Sequence, residues 1–203
     1  MRKLSLGRTP EVPSAKLGWI LNALSEIERA SHADPDFGRQ LQAAQNETVA
    51  AKLIGTWRGL AASASQVSHT GDTDETTLAT ITIPAGVMGA NGLLRVTTLW
   101  TTTNNANNKT QRIKLGSSEF LAYVATTEAS HQHLTVIRNR GAQNSQVGAA
   151  KAAANAFDLS TSAVATASID TSAQASLSIT GQLANAADTI TLESYLVEIL
   201  YLK

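Results

Sequence analysis

Two regimes of hydrophobic spacing divide the chain. In SAKLGWILNALSEIERASHA, residues 14–33, Leu17, Ile20, Leu24 and Ile27 recur at intervals of three, four and three. This is the a/d spacing of a coiled-coil seam, carried for two heptads. Ser14 follows Pro13 and is placed to cap the helix. Two packings satisfy the pattern: the face lies on its own chain as an amphipathic helix, or on copies of itself. Trp19 and Leu21 widen the apolar surface beyond what a two-stranded contact covers. The helix is expected to end near Asp34-Pro35, because the residue before a proline is sterically disfavoured in the helical region. Residues 39–66 hold helix formers interrupted by Gly55 and Gly59, and read as one or two short helices. The polar stretch SHTGDTDET, residues 68–76, sets the expected boundary between a helical region 1–76 and a head 77–203.

Beyond that stretch the period becomes two. Ala79, Ile81 and Ile83 alternate with Leu78, Thr80 and Thr82 until Pro84 stops the run. GVMGANG (86–92) is a glycine-rich loop, after which LLRVTTLWTTT puts Leu94, Val96, Thr98 and Trp100 on one face. NNANN (104–108) is a turn, since asparagine tolerates the conformations tight turns demand. QRIKLG, EFLAYVAT, HLTVIRNR, SAVATASID, ASLSIT and the terminal TITLESYLVEILYL are further strands. Many short strands with turns every ten or so residues predict a mainly β head, a sandwich or jelly roll. The Ala-rich 148–157 reads as a short helix across one end. In the last segment Leu192, Tyr195, Leu196 and Ile199 fit a helix, whereas Tyr195, Val197, Ile199 and Tyr201 alternate; the β-forming residue types favour a strand.

Charge and composition narrow the function. Lys+Arg and Asp+Glu are both 16, and Arg112, Lys114, Arg138 and Arg140 alternate with apolar positions. Such a solvated strand face lacks the clustered cations that phosphate binding needs, so no nucleic-acid partner is expected. The absence of cysteine excludes disulfides, thiolate metal sites and cysteine nucleophiles, and lets the chain be made in a reducing cytoplasm and persist outside it. Met1–Arg8 is basic but no apolar run follows, so neither a signal peptide nor membrane insertion is expected.

Candidate chemistry is sparse. No phosphate-binding loop, nucleophile elbow or HExxH motif occurs, and Gly86, Gly89 and Gly92 miss the dinucleotide spacing. Asp72, Asp74 and Glu75 read as a solvated charge run. The acids of the head, Glu119, Glu128, Asp158, Asp170, Asp188, Glu193 and Glu198, offer no pair at convincing spacing. We therefore expect no enzyme, no catalytic residue and no cofactor; a polysaccharide depolymerase would need such a pair in a groove. His131 and His133 form the one metal-like pair, pointing to the same side of a strand. Two ligands are too few for one chain, though a three-fold axis would bring six; the alternative is a pair of exposed loop histidines. Trp19, Trp57 and Trp100 are either sugar-stacking platforms or core, and Trp100, ending an apolar strand face, reads as core.

ITIPAGVMGANGLLRVTTLW with its Asn-rich turn resembles the opening strands of jelly-roll heads in bacteriophage appendage proteins. IDTSAQASLSITGQLANAADTITLESYLVEIL resembles the closing part of the same domain, so the likeness covers about residues 75–203. SAKLGWILNALSEIERAS is similar to helical anchors that open small phage virion proteins. The resemblance implies a virion component, trimeric, its N-terminal region docked on capsid, collar or tail and its β head projecting. With no long shaft, it implies a head fibre, decoration or neck appendage more than a full tail fibre. Phage fibre tips that bind iron through a repeated His-x-His resemble the histidine pair, but the motif occurs once here. A competing expectation is a host-attachment module, binding a surface glycan through loops 86–92 and 104–108.

Overall fold

The computed structural model describes residues 55–152 and 159–202. The seam residues Leu17, Ile20, Leu24 and Ile27 lie outside the described residues, as do residues 153–157 of the Ala-rich stretch 148–157, whose residues 148–152 are not helical.

The period-two segments run as antiparallel strands. In chain order they are β1 Trp57–Ser63, β2 Val67–His69, β3 Thr76–Ile83, β4 Leu93–Thr102, β5 Lys109–Leu115 and β6 Ser118–Ala125. After these come β7 Ser130–Asn139, β8 Gln146–Gly148, β9 Ala165–Ala167, β10 Ala175–Leu183 and β11 Ile190–Leu200. One sheet has the order β1-β11-β4-β7-β8-β9, with β2 also on β11; the other has the order β3-β10-β5-β6. The quartets β1-β11-β4-β7 and β3-β10-β5-β6 are the two sheets of a jelly roll, as the strand patterning led us to expect.

Both sheets contribute to one core. Leu94, Val96, Trp100, Ile137, Val197 and Ile199 come from the first sheet, and Ile81, Ile83, Ile113, Leu115, Leu177 and Ile179 from the second. Each such side chain stabilises the fold by about 1.5–3 kcal/mol when fully buried. The expected face of β4 is inward throughout: Leu94, Val96, Thr98 and Trp100 are all buried.

Departures from alternation occur at bulges. Residues 57–63, expected to be helical, form β1 and pair with β11. A register shift between Gly59 and Ala61 breaks the alternation that would have marked a strand. His69, in β2, is buried and pairs with Ile190, so the sandwich takes in residues ahead of 77. Leu78 joins Ile81 and Ile83 in the core because β3 bulges opposite Ile179 and Thr180. The terminal segment is a strand, and its shift between Leu192 and Ser194 explains why helical spacing also fitted it. Of SAVATASID only Ala165–Ala167 is strand.

Strand direction sorts the connections into two ends. Residues 84–92, 116–117, 140–145 and 168–174 lie at one; residues 64–66, 70–75, 103–108, 126–129 and 184–189 lie at the other. At the first end Met88 is fully buried and the chain folds back tightly. A Cβ on Gly92 would sit 1.7 Å from the Met88 carbonyl oxygen and 2.8 Å from that of Leu200. Gly92→Ala should therefore lower stability by about 1–3 kcal/mol in denaturant titration, because backbone must move. Gly59→Ala, with open space around it, should stay within about 0.5 kcal/mol of the parent. Equal effects would contradict this packing of the loop.

Candidate functional site

The first end is sealed by buried amides. The Asn139 side-chain amide donates to the Gly89 carbonyl at 2.6 Å and to the Thr171 hydroxyl at 2.9 Å. Gln146 donates to Asn139 Oδ1 at 2.8 Å and to the Ile169 carbonyl at 2.9 Å, and accepts from the Ile169 N–H at 2.8 Å. Thr171 donates through its hydroxyl to the Gln143 carbonyl at 2.8 Å. These bonds join 84–92, 140–145 and 168–174, and buried donors and acceptors that lost a partner here would destabilise the fold.

The opposite end is held by a charge. Asp188 is almost wholly buried and accepts from Asn105 Nδ2 at 2.6 Å and Asn107 Nδ2 at 2.9 Å. Lys109, fully buried, reaches the Asn105 carbonyl at 3.0 Å and its Oδ1 at 2.9 Å. The hydrogen bonds from Asn107 and Asn105, with the nearby Lys109 charge, hold the Asp188 carboxyl below the ordinary carboxylate range. The Thr70 hydroxyl donates to the Asp188 carbonyl at 2.8 Å, adding the 70–75 loop to the cluster. Loops 86–92 and 104–108, each named as a candidate for glycan binding, lie at opposite ends of β4. The side chains of Asn105 and Asn107 are spent on Asp188.

The histidine pair also sits differently from either expectation. His131 and His133 do share a side, but it is the inner one, since they pair with Trp100 and Thr98 of β4. His133 is fully buried, and His131 is half-buried. The Nε2 atoms of both rings meet the side-chain amide of Gln111, on β5 of the facing sheet. The Tyr123 ring packs against them, with centroids 4.8 Å from His133 and 5.7 Å from His131. Neither ring is an exposed loop residue, and an inward pair within one chain cannot line a three-fold axis between chains. Among the described residues no group of three or more His, Cys, Asp or Glu side chains could hold a metal ion. Sequence reading missed Gln111, which carries no signal beyond its alternation on β5.

The acids and tryptophans are mostly engaged. Glu75 meets Lys114 and Arg112, while Arg112 also meets Glu119 at 3.1 Å, and Glu119 reaches Lys151 at 3.2 Å. Burial pulls the Glu75 carboxyl upward, but hydrogen bonds from Lys114 and Thr180 and the Arg112 charge outweigh it and leave it lowered. Glu198 takes a bidentate bond from Arg95 at 2.7 and 2.9 Å, which lowers its carboxyl, and Arg95 lies 4.2 Å over the Trp57 ring. Trp100 is core, its indole N–H donating to the Thr98 hydroxyl at 2.8 Å. Asp72 accepts from the Asp74 N–H at 2.9 Å in an exposed turn. A groove of about 520 Å³ is lined by Lys114, Glu119, Lys151 and Thr166 together with apolar Ala163 and Val164. None of these arrangements brings two unpaired carboxylates together.

No protein-family model and no curated protein matches the chain. Among solved structures, it is similar to the CBM2 module of the evolved Dit of Lactobacillus casei BL23 phage J-1, at 13% identity over 61% of this chain and 70% of that one, with a TM-score of 0.34. It is similar to the infectious bursal disease virus VP2 subviral particle at 11% identity, over 72% of this chain and 32% of that one, TM-score 0.36. A third is the lectin UEA-II complexed with galactose, at 13% identity over 72% of this chain and 92% of that one, TM-score 0.33. At such overlap the strand order, and not these likenesses, is the ground for the fold.

Proposed function

We propose that the chain is a non-enzymatic structural component of a phage particle. The jelly-roll head projects from the virion, and the N-terminal region attaches it to capsid, collar or tail and associates it into a trimer. One observation carries this reading: the polar groups of the head are spent on keeping it shut. Buried amides close one end, Asp188 and Lys109 close the other, and Glu75, Glu119 and Glu198 are consumed in ion pairs. A scaffold requires such closure, whereas an active site requires groups left free to converge. Association rests on the 14–33 seam, because a helix of that length is marginal in water without partners. The sequence likeness to phage appendages supplies the setting.

A second reading, a host-surface glycan-binding module, is favoured by the groove lined by Lys114, Glu119, Lys151, Ser162 and Thr166, where the hydroxyls of Ser162 and Thr166 flank charges already paired. Binding of the full chain to bacterial polysaccharides on an array, lost in Lys151→Ala, would support it; silence across the array would leave the decoration role. Clear zones on a capsulated lawn would revive depolymerase activity.

The primary reading is tested on purified particles of the phage that encodes the chain. The protein should be present in a copy number divisible by three and be labelled by gold-tagged antibody at one fixed position. Leu24→Asp, which buries a charge in the seam, should remove it from the particle. Retention of that variant at full copy number, or a parent chain found only outside the particle, would contradict the proposal.

A further inference from the structure

His131, Gln111 and His133 have no part in attachment or in closing the loop ends, yet they join the two sheets through the interior. Gln111 is fully buried on β5, His133 is fully buried on β7, and the two imidazole centroids are 5.1 Å apart. The Gln111 Oε1 faces His133 Nε2, and its Nε2 faces His131 Nε2.

A primary amide presents an accepting oxygen at one end and a donating NH2 at the other. The two imidazole Nε2 atoms it bridges must therefore differ. The one against the oxygen carries a hydrogen, and the one against the NH2 presents a lone pair. As placed, His133 is the Nε2–H tautomer and His131 the Nδ1–H tautomer; rotating the amide exchanges these assignments and leaves the count unchanged.

We propose that this His–Gln–His bridge is an acid-sensitive latch between the sheets, which remains closed with at most one added proton and opens when both imidazoles are charged. A first proton on His131 makes its Nε2 a donor. The bridge survives if the amide turns its oxygen to His131 and His133 shifts its own hydrogen from Nε2 to Nδ1. A second proton makes both Nε2 atoms donors against a single oxygen. One N–H then faces the NH2, and two cations share a site largely closed to water.

From β4 the bridge meets Trp100 and Thr98, which do not titrate in this range, and from β6 it meets Tyr123. Lys109 lies on the same inward face of β5, already bound to Asn105. Glu128, in the β6–β7 connection, favours a charged His131, but burial outweighs it and holds that imidazole below the ordinary value. The Nδ1 of His131 is buried without a hydrogen-bond partner, so its N–H is unsatisfied in the Nδ1–H tautomer and in the charged ring alike. A histidine whose folded pKa is lowered binds its proton more readily once opened. The latch therefore holds at neutral pH and weakens as pH falls below about 6.5, the unperturbed value.

The test is a nitrogen-15 imidazole titration of the full chain from pH 8 to 4.5, with urea unfolding at each pH. At neutral pH one of the two rings should show Nε2–H and the other Nδ1–H. Once the first ring is charged, the ring left neutral should be the Nδ1–H tautomer, its Nε2 accepting from the Gln111 amide. Loss of the native β5 and β7 signals should accompany the second proton. In urea, the unfolding constant should rise with falling pH more steeply in the parent than in His131→Gln, by up to about tenfold per pH unit, the weight of one proton. If that variant does not fold, the titration of the parent decides alone. Independent titration of the two rings near 6.5 with the neutral ring left as Nε2–H, or an equal slope in parent and variant, would overturn the latch.

Discussion

The head depends on its last strand. β11 pairs with β1, β2 and β4, so the C-terminal strand lies between the beginning of the sandwich and its middle. It sends Ile190, Leu192, Val197 and Ile199 into the core. The shift near Glu193 lets one strand serve two phases: Ile190 and Leu192 face inward before it, and Val197 and Ile199 after it. Without the shift, the second pair would point outward and the face would split. Because its partners lie far away in sequence, the sheet closes only when the ends of the head meet. Folding should accordingly be slow, as for other domains dominated by non-local pairings.

Closing a sandwich leaves its open ends to be dealt with, and here polar groups do so. Asn139, Gln146 and Thr171 bind backbone carbonyls of three loops at one end, and Asp188 gathers Asn105 and Asn107 at the other. Fully satisfied, such networks specify one arrangement of the loops, where an apolar plug would permit several. The same economy runs through the rest of the head. Its acids and amides are the fasteners. The histidine bridge is the exception, since its bonding depends on where protons sit within the range that biological fluids cover.

How much of this was legible in the sequence follows from what alternation encodes. It gave the inward face of β4 in full, because Leu94, Val96, Thr98 and Trp100 lie on a stretch whose pairing with β7 keeps register. It missed β1, where the shift between Gly59 and Ala61 erases the period, and it left out Leu78, a bulge residue. For His131 and His133 it supplied a shared side but not which side, since inside and outside are set by the facing sheet. Gln111 and the Asn105–Asp188 contact were out of reach, because they join residues 20 and 83 positions apart. No local pattern records such a meeting. That loops 86–92 and 104–108 fall at opposite ends of the head follows from topology, since successive loops flanking one strand lie at its two ends.

On the proposed reading, the β head folds by itself and association belongs to the 14–33 seam. Light scattering coupled to size exclusion, with circular dichroism, on the full chain and on residues 55–203 tests this most directly. A trimeric full chain and a folded, monomeric β head are expected. A head that is itself trimeric, or a full chain that is monomeric, would contradict that reading.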